Sequence, residues 1–455
     1  VMRLSAGDQG EILSAAIADD MATLPTPARR VLEALALLGA LADADTVMRV
    51  TGLDAAGVET GMRDLAGRGL LIESGHEVLH PVVRLSVYQN IPSRQRAELH
   101  RRVAGLPGIE LFDRADHLAR AVPDLTPEEV QTLVRSARVA IGSEPDAVLE
   151  WLGGLRHGQH TEESATLLAR ARILTGDLHA AIELLRALVE HEPCAGEARV
   201  LLANALRMAG QADDARVLLA ATADSVDAEL LREYIDVVAL LDGRAPEKFV
   251  SRLEALPGEV NTIVAAIYRT MDLLAEGRVR QARTTFLPVP AWMRRADGTE
   301  IASVLHAVAC AAWAAYLLDE YETGAHIAQR GMTLAHRHGQ ADVLPNLGTA
   351  LCFCLASVGL LDDAEAAGEQ AVEDARRFGA PDLISMALAG LMIAAQGRSD
   401  LDLLRERLDR LNEAPLPRFG WWRRAVLTTR TRVSAVLGNP VSCPELLGEP
   451  LDVMA

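Results

Sequence analysis

The chain has 455 residues, half of them hydrophobic and 4% aromatic, with a formal net charge of −18. One hydrophobic core rarely serves a chain of this length, so we expect at least two structural units or an elongated repeat array. The negative charge disfavours binding of nucleic acid or an anionic membrane by the general surface. Because so few residues are aromatic, alanine, leucine and valine must supply most of the packing, which favours closely stacked helices.

Residues 1–24 have neither the basic start nor the apolar centre of a secretory signal. No apolar run approaches the roughly 20 residues of a membrane span. The five cysteines are odd in number, and Cys352 and Cys354 lie on nearly opposite faces of a predicted helix. We interpret them as reduced, buried thiols and expect a cytoplasmic protein without membrane contact. The start at Val1 suggests a fragment.

In chain order, residues 8–24 predict an amphipathic lead-in helix. Three short helical patterns follow in "PTPARRVLEALALLG", "DADTVMRVTGL" and "DAAGVETGMRDLAGRG". The stretch "LLIESGHEVLHP" then predicts a β-hairpin around Ser74 and Gly75. This order of elements is that of a winged helix-turn-helix.

The third of these helices, residues 54–68, would be the DNA-reading element of a winged helix. It has more acidic than basic side chains, namely Asp54, Glu59 and Asp64 against Arg63 and Arg68. Positive charge supplies most of the non-specific affinity for DNA. We therefore expect this helix to pack within the molecule, and the chain not to bind nucleic acid directly.

Five arginines lie between residues 80 and 102, in "HPVVRLSVYQNIPSRQRAELHRR". Pro81 suits the first turn of a helix, and Ser93 begins a second helix after Pro92. The second helix directs its arginines outward, with Glu98 in reach of three of them. The simplest interpretation is a solvated face with weak ion pairs.

Residues 24–121 resemble the region that follows the ATPase core in large ATP-binding regulators of the LuxR family, which are signal-transduction ATPases with numerous domains. The resemblance rests on "HPVVRLSVY" followed by "RAELHRR" and "DRADHLARA". It implies that the winged helix is a regulatory lid on a nucleotide domain, that His80 senses the nucleotide phosphates, and that Arg84 is a second, weaker candidate. The ATPase domain and the C-terminal helix-turn-helix of that family are absent from this sequence.

Seven turns recur from residue 160 onward at intervals of 34, 33, 34, 42, 40 and 38 residues: Gly176, Gly210, Gly243, Gly277, Asp319, Gly359 and Gly397. A small residue often follows five positions later: Ala181, Ala215, Ala282, Gly324 and Ala364. A glycine between two helices and a small residue where the helices touch are typical of tetratricopeptide repeats. Stacked repeats of this kind leave a concave surface that binds peptides, partner domains or small effectors.

Sequence patterns for catalysis, nucleotide binding and metal binding are missing. The single lysine, Lys248 in "RAPEKFV", does not fit the phosphate loop G-x-x-x-x-G-K-[ST]. Neither G-x-S-x-G, H-E-x-x-H nor a paired CxxC occurs. The pairs His157/His160 and His336/His338 lie in predicted turns, and we do not interpret them as metal ligands. We therefore expect no enzyme activity, no metal, and no cofactor on this chain alone, with ATP or ADP bound only by an upstream ATPase domain.

Together these patterns predict an all-α chain in five segments: a lead-in helix (1–24), a winged helix-turn-helix with following helices (25–109), a helical linker (110–159), a tetratricopeptide-like solenoid (160–440) and a C-terminal tail (441–455). The favoured function is the effector-sensing and autoregulatory region of a bacterial LuxR-type transcriptional regulator. Its partners would be a small-molecule effector or a protein on the repeats, at residues that the sequence does not identify, and an ATPase domain of the same full-length protein. The alternative is a free-standing repeat adaptor that binds proteins, and an enzyme is the third possibility.

Overall fold

The computed structural model describes residues 19, 21–71, 80–122, 125–191, 196–228, 230–242, 244–417 and 420–439. Over these residues the chain is helical and has no strand, so the predicted dominance of helices is confirmed. The chain divides into two compact units. Unit 1 comprises Val1–Val139 and Ala147–Thr161, and unit 2 comprises Ala140–Asp146 and Glu162–Ala455.

The first eight helices belong to unit 1 and to the short segment that interrupts it. They are α1 (Thr26–Leu38), α2 (Ala44–Thr51), α3 (Ala55–Gly67), α4 (Pro81–Asn90), α5 (Ser93–Ala104), α6 (Leu111–Ala119), α7 (Pro127–Ala140) and α8 (Pro145–Gly153). Aspartates cap two of them, since Asp43 accepts a hydrogen bond from the Thr46 amide at 2.8 Å and Asp54 accepts one from the Gly57 amide at 2.8 Å.

The core of unit 1 forms around α1, which packs against α3, α4 and α5. Val31 and Leu32 of α1 are fully buried, as are Leu65 of α3, Val87 of α4 and Val103 of α5. The three predicted helices of the helix-turn-helix are therefore present as α1 to α3. The predicted β-hairpin falls on residues 72–79, outside the described residues, and the predicted lead-in helix falls mostly on residues 1–18, also outside them. The described part of the chain thus offers no support for a wing.

The basic stretch of unit 1 serves its packing. Arg84 donates to the carbonyl of Ala36, and Arg102 donates to the carbonyl of Val50. Arg96 donates to the carbonyl of Tyr88, and its guanidinium lies 4.9 Å from the centre of the Tyr88 ring.

Glu98 has fewer partners than the helical spacing suggested. It pairs with Arg102 at 3.2 Å, whereas Arg101 pairs with Glu129 of α7 at 3.1 Å. Of the three arginines within its helical reach, Glu98 pairs with one, because α7 supplies a second carboxylate that the local sequence does not reveal. Four of the five arginines in this stretch thus bind groups of unit 1.

Unit 2 is a row of antiparallel helix pairs. The pairs are α9 (Glu162–Thr175) with α10 (Leu178–His191), α11 (Gly196–Met208) with α12 (Ala212–Thr222), α13 (Leu231–Asp242) with α14 (Glu247–Glu254), α15 (Glu259–Ala275) with α16 (Val279–Phe286), α19 (Leu305–Leu317) with α20 (Tyr321–Arg337), α21 (Leu344–Val358) with α22 (Leu361–Arg377), and α23 (Pro381–Arg398) with α24 (Leu401–Glu413). Two short helices, α17 (Pro288–Arg295) and α18 (Gly298–Ala302), separate the fourth pair from the fifth, and α25 (Gly420–Val436) follows the last pair.

The inserted helices α17 and α18 account for the longest interval in the sequence repeat, from Gly277 to Asp319. Each helix pair otherwise follows the previous one after a short connection. Trp292 and Met293 of α17 are buried, so the insertion adds to the core of unit 2 instead of looping out of it.

Most of the predicted turns are where the sequence placed them. Five described positions have a positive φ between the two helices of a pair: Gly176 (89°), Gly210 (77°), Gly277 (73°), Asp319 (62°) and Gly359 (84°). Gly243 lies outside the described residues. Gly397 was wrong as a turn, because α23 continues to Arg398 and the residue with positive φ is Ser399.

The small residues five positions after the turns lie at close helix contacts, as predicted. Ala181, Ala215, Ala282 and Ala364 have no exposed surface. At Gly324 a Cβ would lie 2.7 Å from Sγ of Cys354. A larger side chain at these positions would therefore force neighbouring helices apart.

Backbone contacts bring distant parts of unit 2 together. Gly339 has φ +64°, and a Cβ placed on it would collide with the carbonyl of Gly142. The turn Ala341–Val343 also packs against α9, although about 170 residues separate them in sequence order. These contacts place the first helix pair beside the turn between the fifth and sixth pairs, so they narrow the concave side of the repeat array.

The segment Ala341–Val358, which includes α21, is long and apolar enough to cross a membrane by length and composition. Two thirds of it (67%) is buried against other helices of unit 2. Its hydrophobicity is accounted for by this packing.

Candidate functional site

The concave side of unit 2 encloses a cavity of about 290 Å³, which we call the central cavity. The first helices of four pairs, α9, α11, α13 and α19, line it together with the turn Ala341–Val343. Its charged lining residues are Arg170, Glu233, Asp236, His306 and Asp342. A cavity with few, converging polar groups among apolar side chains is typical of a binding site for a small molecule.

Asp236 of α13 is the least compensated acid of the central cavity. It is 9% exposed, and its Oδ1 accepts a hydrogen bond from the Tyr268 hydroxyl. Among the described residues, Oδ2 has no hydrogen-bond partner and no basic group lies within 4 Å of the carboxylate. Burial raises the pKa of Asp236 to about 6, against the opposing effects of His306 and Tyr268. The carboxyl group is thus poised to accept a hydrogen bond or a positive charge.

His306 of α19 and Asp342 form a half-buried pair, with Nε2 and Oδ2 separated by 3.3 Å. Burial by itself would lower the pKa of His306, but the hydrogen bond and charge of Asp342 raise it above its ordinary value. Burial would raise the pKa of Asp342, but His306 holds it below its ordinary value. The contact therefore favours a protonated imidazole beside an ionised carboxylate in the wall of the cavity.

Arg207 of α11 lies in a side recess of about 60 Å³, which we call the arginine recess. Its Nε and Nη2 donate to Oδ1 of Asn204 at 3.2 and 2.8 Å. Nη1 has no hydrogen-bond partner among the described residues, and no described carboxylate lies within 4 Å. Burial lowers the pKa of Arg207 to about 10, while Asp342 and Asp382 act in the opposite direction. The guanidinium nevertheless stays protonated at neutral pH.

Arg170 of α9 is compensated, in contrast to Arg207. Its Nη2 lies 2.8 Å from Oε2 of Glu233 and 3.0 Å from Oε1 of Glu197. Since Glu233 belongs to α13 and Glu197 to α11, this triad ties three first helices together. Its role in the wall of the cavity is structural.

An aromatic recess of about 50 Å³ adjoins the same space. The ring centre of Trp313 of α19 lies 5.2 Å from that of Trp421 and 6.4 Å from that of Trp422, both of α25. Tyr268 lines the recess as well. The sequence could assign the two tryptophans of "RFGWWRR" either to a stacking site or to a helix interface. Both are half-buried and line the recess, so they give the cavity an apolar, aromatic end.

The two residues that the sequence singled out for nucleotide sensing lie in unit 1. His80 is exposed and caps α4, where its Nδ1 accepts a hydrogen bond from the Val82 amide at 3.3 Å. Arg84 is half-buried, and its guanidinium lies over Gly39, where a Cβ would be 3.0 Å from Nη1. Arg84 is thus fixed by packing, whereas the imidazole of His80 is accessible. The sensing role of both residues stays a prediction.

Unit 1 also has a groove of about 650 Å³ beside a histidine pair that the sequence did not indicate. Nδ1 of His100 lies 2.8 Å from Nδ1 of His117, and Nε2 of His100 lies 2.9 Å from the Tyr88 hydroxyl. Burial, with the neighbouring His117, lowers the pKa of His100 to about 3. The pair is therefore neutral near pH 7 and joins α4, α5 and α6.

No group of three or more His, Cys, Asp or Glu residues suited to a metal ion occurs in the described part of the chain. Cys352 and Cys354 are fully buried, and burial raises the pKa of each thiol to about 12. The thiols are therefore protonated and unreactive at neutral pH.

The groups of the central cavity were missed in the sequence, although a weak signal exists. Asp236 in "YIDVVALL" and His306 in "VLHAVAC" are single polar residues within apolar helical segments. A buried histidine or aspartate in such a segment is ordinarily satisfied inside the core. Only the superhelical path of the repeats shows that both side chains face one cavity.

Comparison with known proteins identifies the repeats. Residues 172–231 match the family model described as tetratricopeptide repeat. No curated protein sequence matches the chain. The chain is similar to the crystal structure of PH0952 from Pyrococcus horikoshii, a Signal Transduction ATPase with Numerous Domains (STAND) protein with a tetratricopeptide repeat sensor, at 14% identity and a TM-score of 0.43. The alignment covers 96% of this chain and 63% of that structure, so this chain spans less than two thirds of its length.

Proposed function

We propose that this chain is the sensing and autoregulatory region of a bacterial LuxR-type transcriptional regulator, and that its role is binding and not catalysis. Unit 2 binds the effector, and unit 1 contacts an ATPase domain encoded upstream, through which the signal reaches a DNA-binding domain. The tetratricopeptide repeats over residues 172–231 and the resemblance of residues 24–121 to such regulators both support this proposal.

The observation that carries the proposal is the central cavity. It contains a buried carboxylate, Asp236, and it adjoins a recess with a half-buried guanidinium, Arg207; neither group forms an ion pair with a described residue. Charges that are withdrawn from solvent without an ion-pair partner lower stability, so their presence in two adjoining spaces favours a ligand site over a purely structural interior.

The size of the cavity distinguishes the proposal from a free-standing adaptor. An adaptor binds extended peptides or folded partners on an open concave surface. A recess of about 290 Å³ with a few converging polar groups instead suits a small molecule.

Two experiments test the regulator. The coding sequence that flanks this region should contain a Walker A motif upstream and a LuxR-type helix-turn-helix downstream. In the intact gene, deletion of residues 160–440 should abolish the response of a target promoter to its inducing condition. Flanking sequence without these domains, or a promoter response that persists without the repeats, would favour the adaptor instead.

A further inference from the structure

Two charges of opposite sign, the buried Asp236 and the half-buried Arg207, lie in adjoining parts of unit 2, and neither forms an ion pair with a described residue. Asp236 lines the central cavity, and Arg207 lines the arginine recess. The two spaces share Leu240, His306 and Asp342 as lining residues, so they meet at these side chains. A single ligand that fills both would reach both charges.

The free atoms of the two residues define what such a ligand must carry. Oδ2 of Asp236 accepts hydrogen bonds and favours a protonated nitrogen. Nη1 of Arg207 donates hydrogen bonds and favours an anionic oxygen, because guanidinium groups bind carboxylates and phosphates well. Between these ends, the shared Leu240 and the nearby Trp422 offer apolar contact for the body of the ligand.

The other charges of the lining disfavour ligands of only one sign. His306 and Asp342 compensate each other, and Arg170 is compensated by Glu233. Asp382 also lines the arginine recess, so a ligand with two anionic groups would meet additional acidic charge there. A ligand with two cationic groups would leave one of them beside Arg207.

We propose that the central cavity and the arginine recess together bind one small zwitterion, with its positive nitrogen at Asp236 and its anionic group at Arg207. This proposal rests on the sensor role proposed above and specifies the chemical class of the effector. It predicts that the site prefers ligands with one positive and one negative end over ligands with two ends of the same charge. The length of the ligand must match the separation of Asp236 and Arg207.

The test is a titration of the purified chain with ω-amino acids from 4-aminobutanoate to 8-aminooctanoate, each compared with the diamine and the dicarboxylate of equal carbon number. Binding is followed by calorimetry and by the fluorescence of the tryptophans in the aromatic recess. We expect one ω-amino acid to bind at one site per chain, about tenfold or more tighter than its matched diamine and dicarboxylate. A tighter diamine or dicarboxylate, or no saturable binding by any member of the series, would overturn the zwitterion.

Two variants assign the ends of the ligand. Asp236→Asn removes the group that binds the nitrogen, so the ω-amino acid should bind no more tightly than the simple alkanoate of equal length. Arg207→Gln removes the group that binds the anion, so the ω-amino acid should bind no more tightly than the simple alkylamine of equal length. Glu183→Gln and Arg186→Gln, both exposed on α10, are matched controls and should bind as the original chain does. Circular dichroism establishes whether each variant is folded. If a variant is not folded, the selectivity of the unaltered chain among the three ligand classes still tests whether the ligand is a zwitterion. Unchanged selectivity in both cavity variants would contradict the assignment.

Different results would contradict the zwitterion proposal and the sensor role. If no probe binds but the promoter response still requires residues 160–440, the zwitterion is wrong and the sensor role stands. If the response does not require these residues, the sensor role is wrong whatever the probes do.

Discussion

Nε2 of His306 lies 3.3 Å from Oδ2 of Asp342 in the wall of the central cavity, and the pair joins α19 to the turn that packs against α9. The two side chains are 27% and 14% exposed, so solvent screens their attraction only in part. The contact therefore contributes both to the charge of the cavity and to its closure.

His306→Gln should destabilise unit 2 by about 1–3 kcal/mol at pH 6, because it leaves Asp342 without its charged partner. The folded-state pKa of His306 is raised, so its stabilisation is fully present below the unfolded pKa of about 6.5 and is lost as pH rises through the folded pKa. The free energy of unfolding, measured with urea from about pH 5.5 to 8.5, should show a difference between variant and original chain that narrows at high pH. A difference that is constant over this interval would contradict the charged pair.

Asp236→Asn should stabilise unit 2 at neutral pH. The pKa of the carboxyl group is about 6 in the folded chain and about 3.9 when unfolded, so folding disfavours the ionised form. The free energy of unfolding should rise by about 2–3 kcal/mol near pH 7.5 and by only about 1 kcal/mol near pH 4.5.

Asp214→Asn, at an exposed position of α12, is the matched control and should change the free energy of unfolding little at either pH. Urea unfolding at both pH values measures the effect. A destabilised Asp236→Asn at pH 7.5 would mean that the carboxylate has a structural partner.

Ala215→Arg tests the register of the repeats. Ala215 has no exposed surface, so arginine cannot fit between the helices without separating them, and a loss of several kcal/mol is expected if the site does not relax. Val217→Arg is the matched control, because Val217 is 73% exposed on the same helix.

Arg216 is a poorer control than its exposure suggests, since its Nε lies 2.7 Å from Oδ1 of Asp242 and its Nη2 donates to the carbonyl of Leu241. The test compares the melting temperatures of Ala215→Arg and Val217→Arg, measured by thermal unfolding. Equal melting temperatures would show that the repeat register is wrong.

The repeats could be predicted from sequence because their signals are local. Gly176 and Gly210 mark turns through positive φ, and Ala215 marks a helix contact through its small size. Gly397 misled the prediction because a glycine inside a helix resembles a turn glycine in sequence, while Ser399 adopts the positive φ.

The central cavity could not be predicted, because it depends on long-range geometry. Its polar groups come from helices up to about 170 residues apart, and the enclosure depends on the contact of Gly142 with Gly339. The repeat pattern predicts a concave surface but does not indicate which side chains face it. The inserted helices α17 and α18 were also missed, because the repeat pattern shows only a longer interval there, 42 residues from Gly277 to Asp319.

Gly339→Ala tests the closure of unit 2. An added Cβ would collide with the carbonyl of Gly142, and φ +64° is unfavourable for alanine, so we expect a loss of about 2–4 kcal/mol. Gly359→Ala is the control: its φ is +84°, but no atom lies within 4 Å of its Cβ, so it should lose only about 1 kcal/mol. Urea unfolding measures the free energy of unfolding of both variants. Equal losses would show that the contact of Gly339 with Gly142 does not stabilise unit 2.

A test of His80 needs a longer protein that includes the ATPase domain proposed to lie upstream. His80→Ala should change nucleotide-dependent switching more than it changes folding, because the imidazole is exposed and its structural task is limited to one 3.3 Å hydrogen bond at the start of α4. His80→Asn separates the two roles, since asparagine is a good N-cap but lacks the imidazole. Arg84→Ala is unsuitable for this purpose, because Arg84 packs over Gly39 and its loss would disturb the core of unit 1.

If His80 senses the nucleotide, both His80 variants should lose ADP retention or activation to a similar extent, while only His80→Ala lowers the melting temperature. Retention of bound ADP, exchange for ATP and promoter activity are the measurements. Loss of switching in His80→Ala but not in His80→Asn would leave His80 as a helix cap. Its accessibility in unit 1 would then be unrelated to the nucleotide.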